Sequence, residues 1–322
     1  MVPAPKYTNF AALDLGSNSF RLLAVSGRPV QWPPEPPERI LLDTCRQTRL
    51  GEKLSATGRL NAAARERGLA ACRVFAGQLR ELPPMPLRAC ATQALRQAAD
   101  RQEFIREVEE ILACRVEILS PEQEAAYTLL GCQAGQKKSR SPLLLVDAGG
   151  GSTEIILARH QQKPLIRSLP MGAVNLTERF FKAGITPPAQ AQMKIFLREQ
   201  IKPVFNELIP AGLRKVRLTA SGGTANALAM LSLGLRNYEA GLIQGSRLTG
   251  TGLDEILARL SALPPEALRS IPGLKTRGAI IPAGLILLQT IINITGRELT
   301  VSTSGFLEGI VLRHGNNGPA AP

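Results

Sequence analysis

One motif occurs twice in this chain and restricts its fold more than any other feature. An apolar strand ends in Asp-x-Gly-x-x-Ser, and a second apolar strand follows at once, first from Asp14 and again from Asp147. Each copy opens a comparable stretch of predicted strands and helices. The repeat therefore predicts two α/β domains of one duplicated topology, with the two turns facing each other across a cleft. A chain of 322 residues is long enough for two domains of roughly 150 residues each.

We expect the first domain to consist of residues 1–125 together with 301–322, and the second of residues 126–300. Hydrophobic residues make up 44% of the chain and aromatic residues only 4%, so both cores must be mainly aliphatic. Aliphatic cores are typical of parallel sheets whose faces are covered by helices.

Capping residues and apolar periodicity predict several helices. Periodic apolar residues indicate a helix from Asn61 to Leu82. Ser120 as N-cap, Pro121 at the first helical position and Gln123 as capping-box partner indicate the start of another.

Three more helices are expected in the second half of the chain. Thr186 and Pro187 open one that runs toward Leu208, and Thr251 to Asp254 is a possible capping box for another. The uncharged stretch Gly278–Gly296 is long enough for a membrane span, but it contains polar residues and no second span accompanies it. We interpret it as a buried helix and expect no membrane partner.

The cysteines argue against a disulfide framework and against a zinc site. They form no CxxC pair and no Cys/His cluster. The five are Cys45, Cys72, Cys90, Cys114 and Cys132. We expect buried, reduced thiols in a cytoplasmic protein, and no secretory signal is visible at the N-terminus.

The formal net charge of +13 leaves two interpretations open. It is either a property of solvated helix faces or the mark of a polyanionic partner that a positive field attracts. Much of the charge lies between Gln161 and Arg217. The sequence contains no helix-turn-helix, zinc-finger or RNP signature, so we expect no nucleic-acid partner.

The first turn has the composition of a phosphate-binding loop. Gly16 lets the backbone turn tightly, and the N–H groups that follow can point at a phosphate. Ser17 and Ser19 add hydroxyl donors, and Asn18 lies between them. One such motif alone would favour an ordinary hairpin with a polar tip.

Two further glycine turns shift the interpretation toward phosphate binding. Glycine runs cost conformational entropy and are expected where backbone must approach a ligand closely. The candidate residues in the second turn are Gly149, Gly150, Gly151, Ser152 and Thr153, and those in the third turn are Ser221, Gly222, Gly223 and Thr224. Asp147 and Glu154 flank the second turn with carboxylates suited to a hard cation.

Seven segments, in this order, resemble the exopolyphosphatase / guanosine pentaphosphate phosphohydrolase family. They read DLGSNSFRLLAV, ATQALRQA, ILSPEQEAAYTLLG, LLLVDAGGGSTEIIL, LPMGAVNLTERF, ASGGTANALA and IPGLKTRGAIIPAGLILL. The resemblance extends from about Phe10 to about Leu312. The first two glycine turns are shared with the wider superfamily of actin, sugar kinases and heat-shock chaperones, whereas the order of the seven segments is more specific.

The resemblance implies a ribonuclease-H-like fold for both domains. It also implies Mg²⁺-dependent hydrolysis of a terminal phosphoanhydride in the cleft between them, with Mn²⁺ as an alternative metal. Asp14, Asp147 and Glu154 would hold the metal directly or through water.

The same resemblance assigns the catalytic groups. Glu124 matches the family's catalytic base, and Arg96 matches an arginine that contacts phosphate. Arg21 and Arg277 are weaker candidates for phosphate contacts. Without the resemblance, Glu124 is equally explained as a carboxylate that complements the helix dipole, and Arg96 as an arginine on a helix surface.

The chain departs from the family pattern at several charged positions. Gln123 replaces the first of two family carboxylates, and Pro121 replaces a glycine. Thr303 and Leu307 replace an aspartate and an arginine near the C-terminus, and Ala279 stands at the match of a further aspartate. The chain therefore lacks whatever those charges do in the family.

Three classes of function remain after these observations. The leading hypothesis is an exopolyphosphatase acting on inorganic polyphosphate, with hydrolysis of the 5′ γ-phosphate of guanosine pentaphosphate as its close rival. A kinase or ATPase of the same superfamily is disfavoured by the Glu124 segment. A non-catalytic polyphosphate- or nucleotide-binding regulator is kept open by the departures. We also expect a homodimer, although the sequence itself gives no oligomeric state.

Overall fold

The computed structural model describes residues 9–27, 32–33, 39–136, 139–209, 216–274 and 277–314. The chain divides into two compact units. Unit 1 consists of Met1–Lys137 and Ser304–Pro322, and unit 2 of Lys138–Thr303.

Unit 1 is built on a five-stranded sheet with helices on both faces. Its strands are β1 (Asn9–Leu15), β2 (Ser19–Ser26), β3 (Ile40–Gln47), β4 (Leu87–Ala91) and β5 (Val116–Ile118). Its helices are α1 (Leu54–Thr57), α2 (Ala62–Arg80), α3 (Gln93–Gln97), α4 (Arg101–Leu112), α5 (Pro121–Ala134) and α13 (Phe306–His314). The strand order is β3-β2-β1-β4-β5. The β1–β2 and β2–β3 pairs are antiparallel, and the β1–β4 and β4–β5 pairs are parallel.

Alternation along β1 explains the two layers of helices. Leu13 and its like-facing neighbours belong to a core shared with α2 and α4. Phe10 and Ala12 belong to a second core that includes Tyr127 of α5 and Ile310 of α13. Successive side chains of a strand point to opposite faces, so a strand with apolar residues at consecutive positions is covered on both sides.

Unit 2 repeats this arrangement on a six-stranded sheet. Its strands are β6 (Leu143–Ala148), β7 (Thr153–Ala158), β8 (Leu165–Leu169), β9 (Arg217–Ser221), β10 (Arg247–Leu248) and β11 (Leu299–Val301). Its helices are α6 (Ala173–Phe180), α7 (Pro187–Leu208), α8 (Gly222–Leu233), α9 (Ala240–Ile243), α10 (Gly250–Ser261), α11 (Pro265–Ser270) and α12 (Ile281–Thr295). The order is β10-β11-β9-β6-β7-β8.

The two sheets share one topology, which confirms the predicted duplication. In unit 2 the β6–β7 and β7–β8 pairs are antiparallel, and the β6–β9 and β9–β11 pairs are parallel. These four pairs correspond one to one with those of unit 1, with β6 in the place of β1. Each unit therefore has the strand pattern expected of a ribonuclease-H-like domain.

The boundary between the units lies later in the chain than the expected cut between residues 125 and 126. That cut would fall inside α5, which continues to Ala134 and packs in the core of unit 1 through Tyr127. The sequence shows where α5 begins but contains no breaker at 125. At the other end, residues 301–303 belong to unit 2, because β11 pairs with β9 as far as Val301.

Most predicted helix starts are confirmed, and one is wrong. Ser120 and Gln123 form the predicted capping box of α5, and Thr186 caps α7. Helix α10 is capped by Thr249, whose hydroxyl accepts a hydrogen bond from Gly252 N at 3.1 Å, rather than by Thr251. Both threonines are followed by compatible residues, so the sequence pattern did not separate them.

Helix α12 is the buried helix predicted for the uncharged stretch, because every residue from Ile281 to Ile292 is buried. No helix in the described part of the chain is long and apolar enough to cross a membrane. The five cysteines are free thiols, as expected. Cys72, Cys90 and Cys132 are buried, whereas Cys45 is exposed.

Candidate active site

The first glycine turn, Gly16–Ser19, is held by the loop that follows β3. N–H groups of the loop Thr48–Gly51 donate to the carbonyl of Ser17 at 2.8 Å and to the carbonyl of Asn18 at 2.9 and 3.1 Å. Across a trans peptide the next N–H points away from the carbonyl. The N–H groups of Asn18 and Ser19 therefore face the side opposite the loop.

Gly16 lies against Ser19, and the Asp14 carboxylate lies beside Gly16. A Cβ on Gly16 would come 2.9 Å from the Ser19 carbonyl oxygen and 3.4 Å from Asp14 Oδ2. The backbone thus turns tightly beside the Asp14 carboxylate, as the sequence predicted. Ser17 and Asn18 are both buried, so these two side chains belong to the structure of the turn.

Arg21 is engaged by two carboxylates. Its guanidinium bonds Asp43 through Nε at 2.9 Å and Nη2 at 2.8 Å, and Nη2 also lies 2.9 Å from Glu308 Oε1. Glu308 is buried, and its second oxygen accepts from the N–H of Gly305 at 2.7 Å. These bonds tie β2, β3 and α13 together, which gives Arg21 a structural role beside its predicted phosphate contact.

The two predicted catalytic residues of unit 1 meet directly. Arg96, at the end of α3, donates from Nη1 to Glu124 Oε2 at 2.7 Å and to the carbonyl of Leu119 at 2.8 Å. Glu124 lies in the first turn of α5 and is only 9% exposed. The guanidinium therefore fixes the orientation of the Glu124 carboxylate near the carboxyl ends of β4 and β5.

The departures around Glu124 have a local explanation. Gln123 Oε1 accepts from Ser120 N at 2.8 Å, and Gln123 N donates to Ser120 Oγ at 3.2 Å. Pro121 is the first residue of α5. Glu122 also faces the helix start, where a hydrogen bond from the Ser120 hydroxyl holds the pKa of its carboxyl below the ordinary value.

The C-terminal departures are also structural. Leu307 is 2% exposed and packs in the core between α5, α13 and the sheet. The Thr303 N–H and hydroxyl both donate to Gln244 Oε1 at 2.8 Å. A core leucine and a hydrogen-bonded threonine thus stand where the family pattern has charges.

The second glycine turn, Gly149–Gly151, is held by a helix instead of a loop. The three glycine carbonyls accept hydrogen bonds from the first turn of α6, at 3.0, 2.7 and 2.8 Å. By the same peptide geometry, the N–H groups of Gly150, Gly151 and Ser152 face away from α6. A Cβ on Gly172 would come 2.5 Å from the backbone carbon of Gly150, so the close approach depends on glycine. Successive N–H groups facing one side suit a bound phosphate.

Asp147 is the last residue but one of β6 and lies between two other candidates. It lies directly opposite Glu154 on β7 and beside Ser221 on β9. Gly222 has φ of +87°, and a Cβ there would come 2.5 Å from Asp147 Oδ1. Among the described residues, the buried hydroxyl of Ser221 has no hydrogen-bond partner. The second and third turns therefore converge on the Asp147 carboxylate.

Arg277 joins the third turn. A Cβ on Gly223 would overlap its guanidinium, so the arginine lies against the N-terminus of α8. Thr224 is buried, and its side chain faces Gly284 of α12. Gly222, Gly223 and Arg277 thus lie together at the N-terminus of α8, whereas Thr224 packs between helices.

Two candidates in unit 2 have partners within the fold. The Thr153 hydroxyl donates to the Met171 carbonyl at 2.6 Å. Glu154 Oε1 accepts from Ser168 Oγ at 2.8 Å, and Glu154 is 1% exposed. The Thr153 hydroxyl is thus occupied in holding β7 to the start of α6, while Glu154 is oriented by its neighbour on β8.

The carboxylates of unit 2 fit a divalent cation that keeps most of its water. In the described parts of the chain, no three His, Cys, Asp or Glu side chains lie close enough together to hold a metal ion by themselves. Asp147 and Glu154 occupy directly opposite positions and so share one face of the sheet. One or two carboxylates completed by water and phosphate oxygens is the usual arrangement for Mg²⁺.

The basic residues of unit 2 do not all remain available for a polyanion. Arg167 is ion-paired with Glu207, and the guanidinium of Arg179 lies 4.0 Å from the ring centroid of Phe196. Lys194, Arg198 and Lys202 are exposed at four-residue spacing along α7. Arg214 and Lys215 lie outside the described residues.

Comparison with known proteins identifies the family. Residues 38–317 match the sequence model of the Ppx/GppA phosphatase family. The chain belongs to this family. As a Ppx/GppA family member, it is a phosphatase at the level of reaction class.

Solved structures agree with this placement. An exopolyphosphatase-like protein aligns with a TM-score of 0.83 and 26% identity over 95% of this chain and 97% of its own. The Ppx/GppA family member of Aquifex aeolicus aligns with a TM-score of 0.73 and 27% identity over 95% and 97%. An exopolyphosphatase from Cytophaga hutchinsonii shares the fold, with a TM-score of 0.83 and 21% identity over 97% and 99%.

Sequence reasoning missed the residues that support the turns in this family member. The loop Thr48–Gly51 and the start of α6 hold the two glycine turns by backbone hydrogen bonds, which leave no residue-type signal. Glu308 lies in a segment that the sequence analysis inspected only for its departures. The signal that could have identified Glu308 is its charge, because it is the one charged residue between Phe306 and Leu312.

Proposed function

We propose that this chain is an exopolyphosphatase, which removes the terminal phosphate of linear inorganic polyphosphate with Mg²⁺ or Mn²⁺. The observation that carries the proposal is the contact between Arg96 and Glu124, 2.7 Å apart at the start of α5. A buried carboxylate held by a guanidinium at the carboxyl edge of a sheet is suited to orient and deprotonate water.

In the proposed reaction, water attacks the terminal phosphorus and the bond from that phosphorus to the bridging oxygen breaks. The products are inorganic phosphate and a chain shortened by one residue. The Glu124 carboxylate accepts the proton of the attacking water. Charge that develops on the phosphate oxygens is met by N–H donors and cations, which is the main demand of phosphoryl transfer.

Both units carry groups of the kind that this reaction needs. The N–H groups of the first and second glycine turns would contact phosphate oxygens, with Arg277 and the third turn beside the second. Asp147 and Glu154 in unit 2, and Asp14 in unit 1, are the proposed metal ligands. A bound Mg²⁺ would supply charge neutralisation at the phosphate oxygens.

The choice of polyphosphate over guanosine pentaphosphate is supported by charge. The formal net charge is +13, and Lys194, Arg198 and Lys202 are exposed in one row of α7. A long polyanion gains more from a row of cations than a single nucleotide does. Similarity to an exopolyphosphatase-like protein points the same way. Hydrolysis of the 5′ γ-phosphate of guanosine pentaphosphate is the second candidate, because the family includes both activities.

The decisive experiment is a direct comparison of phosphate release from long-chain polyphosphate and from guanosine pentaphosphate, with Mg²⁺ and with Mn²⁺. We expect faster release from polyphosphate. Faster release from the nucleotide would replace the leading proposal with the second candidate. Tight binding of either ligand without metal-dependent release would instead identify a non-catalytic regulator.

A further inference from the structure

A series of hydrogen bonds connects helix α2 to the first glycine turn. Arg67 of α2 donates from Nε to the Thr48 carbonyl at 2.8 Å. The Arg49 N–H, which belongs to the same peptide group, donates to the Asn18 carbonyl at 2.9 Å. That carbonyl in turn shares a peptide group with the Ser19 N–H. Two peptide groups therefore lie in series between the guanidinium and Ser19.

The direction in which the dipoles of this series point follows from peptide geometry. In each trans peptide the C=O and the following N–H point in opposite directions, so the two peptide dipoles align head to tail. Hydrogen bonds in such a series polarise one another, and a charged donor at one end strengthens the effect. The positive end emerges at the Ser19 N–H, and Gly16 lies against the same residue, because its Cβ would come 2.9 Å from the Ser19 carbonyl oxygen.

The Arg67 ion pair with Glu52 does not explain the placement of the arginine. Its Nη2 lies 2.7 Å from Glu52 Oε2, but the two side chains are 38% and 34% exposed. Pairs with this exposure contribute little to stability. The bond to the Thr48 carbonyl is the contact that reaches a buried residue, since Thr48 is fully buried.

We propose that Arg67 is a positioning residue for phosphate binding, which sets the first glycine turn through the Thr48–Arg49 and Asn18–Ser19 peptide groups. The inference rests on the proposed function only in taking that turn as a phosphate site. Arg67 lies outside all seven segments that resemble the family, and no contact with substrate is needed for this role.

The test compares R67Q, R67K and R73Q. Arg73 is the matched control, because it lies on the same helix and its pair with Glu66 is exposed on both sides, at 55% and 66%. The affinity for tripolyphosphate is measured by calorimetry, KM and kcat by phosphate release from tripolyphosphate, and Tm by thermal unfolding. The binding arm reports on Arg67 even if the wild-type protein hydrolyses no phosphoanhydride, so failure of the proposed function is recognised separately.

We expect R67Q to weaken tripolyphosphate binding and raise KM by about fivefold with kcat within about twofold. The Ser19 N–H that Arg67 positions would contact phosphate equally in the ground and transition states, and a loss of such uniform binding changes KM alone. R67K should recover part of the loss, since it retains the charge and one donor. Three results overturn the proposal: unchanged affinity in R67Q, an equal loss of affinity in R73Q, or a loss of affinity in R67K as large as that in R67Q.

Discussion

The two units place opposite charges at one equivalent position. In unit 1 the residue directly across from Asp14 is Arg21, whereas in unit 2 the residue directly across from Asp147 is Glu154. Arg21 forms ion pairs with Asp43 and Glu308. Glu154 instead adds a second carboxylate on the face of Asp147. One duplicated hairpin has thus become a charge-balanced structural unit in the first copy and a cation-attracting unit in the second.

The difference indicates a division of labour. Unit 1 holds the Arg96–Glu124 pair at the start of α5. Unit 2 holds three converging elements around Asp147. We therefore expect substitution of Glu124 to affect proton transfer and substitution of Asp147 to affect the response to metal.

The largest effect is expected from E124Q in unit 1. The amide keeps the size of the side chain but cannot accept the proton, so turnover should fall by ~10²-fold or more while polyphosphate binding is retained. E122Q is the matched control in the same helix turn, where the carboxylate accepts a hydrogen bond from the Ser120 hydroxyl. Near-normal turnover in purified E124Q, or an equal loss in E122Q, would remove Glu124 from its proposed role.

The next effect belongs to Asp147 in unit 2. D147A removes a carboxylate that suits a hard cation, and we expect the Mg²⁺ concentration for half-maximal activity to rise by about tenfold or more, which corresponds to about 1.4 kcal/mol. D254N serves as the control, because Asp254 accepts a hydrogen bond from Gln289 of α12 and is not among the proposed metal ligands. An unchanged Mg²⁺ titration in D147A would make Asp147 a purely structural residue.

These assignments show how far the sequence could lead. Three features could be predicted from the sequence, because each depends on residue type at short range. They are the repeat at Asp14 and Asp147, the capping box at Ser120 and the buried helix at Gly278–Gly296. The hydrogen bonds that hold the glycine turns could not be predicted from the sequence, because those from the loop at Thr48 and from the start of α6 go to backbone carbonyls. The ion pairs of Arg21 could not be predicted either, because its partners lie on β3 and α13, far from it in the sequence.

The two ways of holding a turn predict unequal tolerance to an added methyl group. A Cβ on Gly172 would come 2.5 Å from backbone atoms of the second turn, whereas a Cβ on Gly51 would come 3.2 Å from the Ser17 side chain. Overpacking against backbone costs about 1–3 kcal/mol. We expect G172A to raise KM for tripolyphosphate by about tenfold and G51A by less than about twofold. Equal effects on KM, with Tm measured alongside, would mean that loop and helix constrain their turns alike.

Salt dependence tests whether unit 2 carries a track for long chains. The candidates named from sequence are Arg167, Arg179, Lys182, Lys194, Arg198, Lys202, Arg214, Lys215 and Arg217. Binding that releases counterions weakens linearly with the logarithm of salt concentration, by a slope near the number of charges neutralised. We expect a steeper slope for long polyphosphate than for guanosine pentaphosphate, measured with E124Q. Equal slopes would mean that the basic residues are not arranged as a track.

The smallest expected effect is a difference between the two units in how their stability depends on pH. In unit 1, His314 of α13 lies with Nε2 2.6 Å from the Tyr127 hydroxyl and with Nδ1 3.4 Å from Arg88 Nη1. Burial, with the charges of Arg88 and Arg313, lowers the pKa of His314 to about 4. Arg88 is itself ion-paired with Glu117. Unit 2 contains only the exposed His160, so this sensitivity belongs to unit 1.

The sign follows from proton uptake. Between an ordinary histidine pKa of about 6.5 and the lowered value of about 4, the unfolded chain binds a proton that the folded unit excludes. The stability of unit 1 is therefore full above pH 6.5 and falls as pH drops toward 4. H314Q should lose less Tm than wild type between pH 7.5 and 4.5, by a few degrees on the scale where about 1 kcal/mol shifts Tm by roughly 2–4 °C or more. Hydrogen exchange should assign the acid-induced opening to α13 and α5. Identical pH profiles for wild type and H314Q would show that the neutral histidine does not hold α13 on α5, and the carboxylates of either unit would then account for any acid sensitivity.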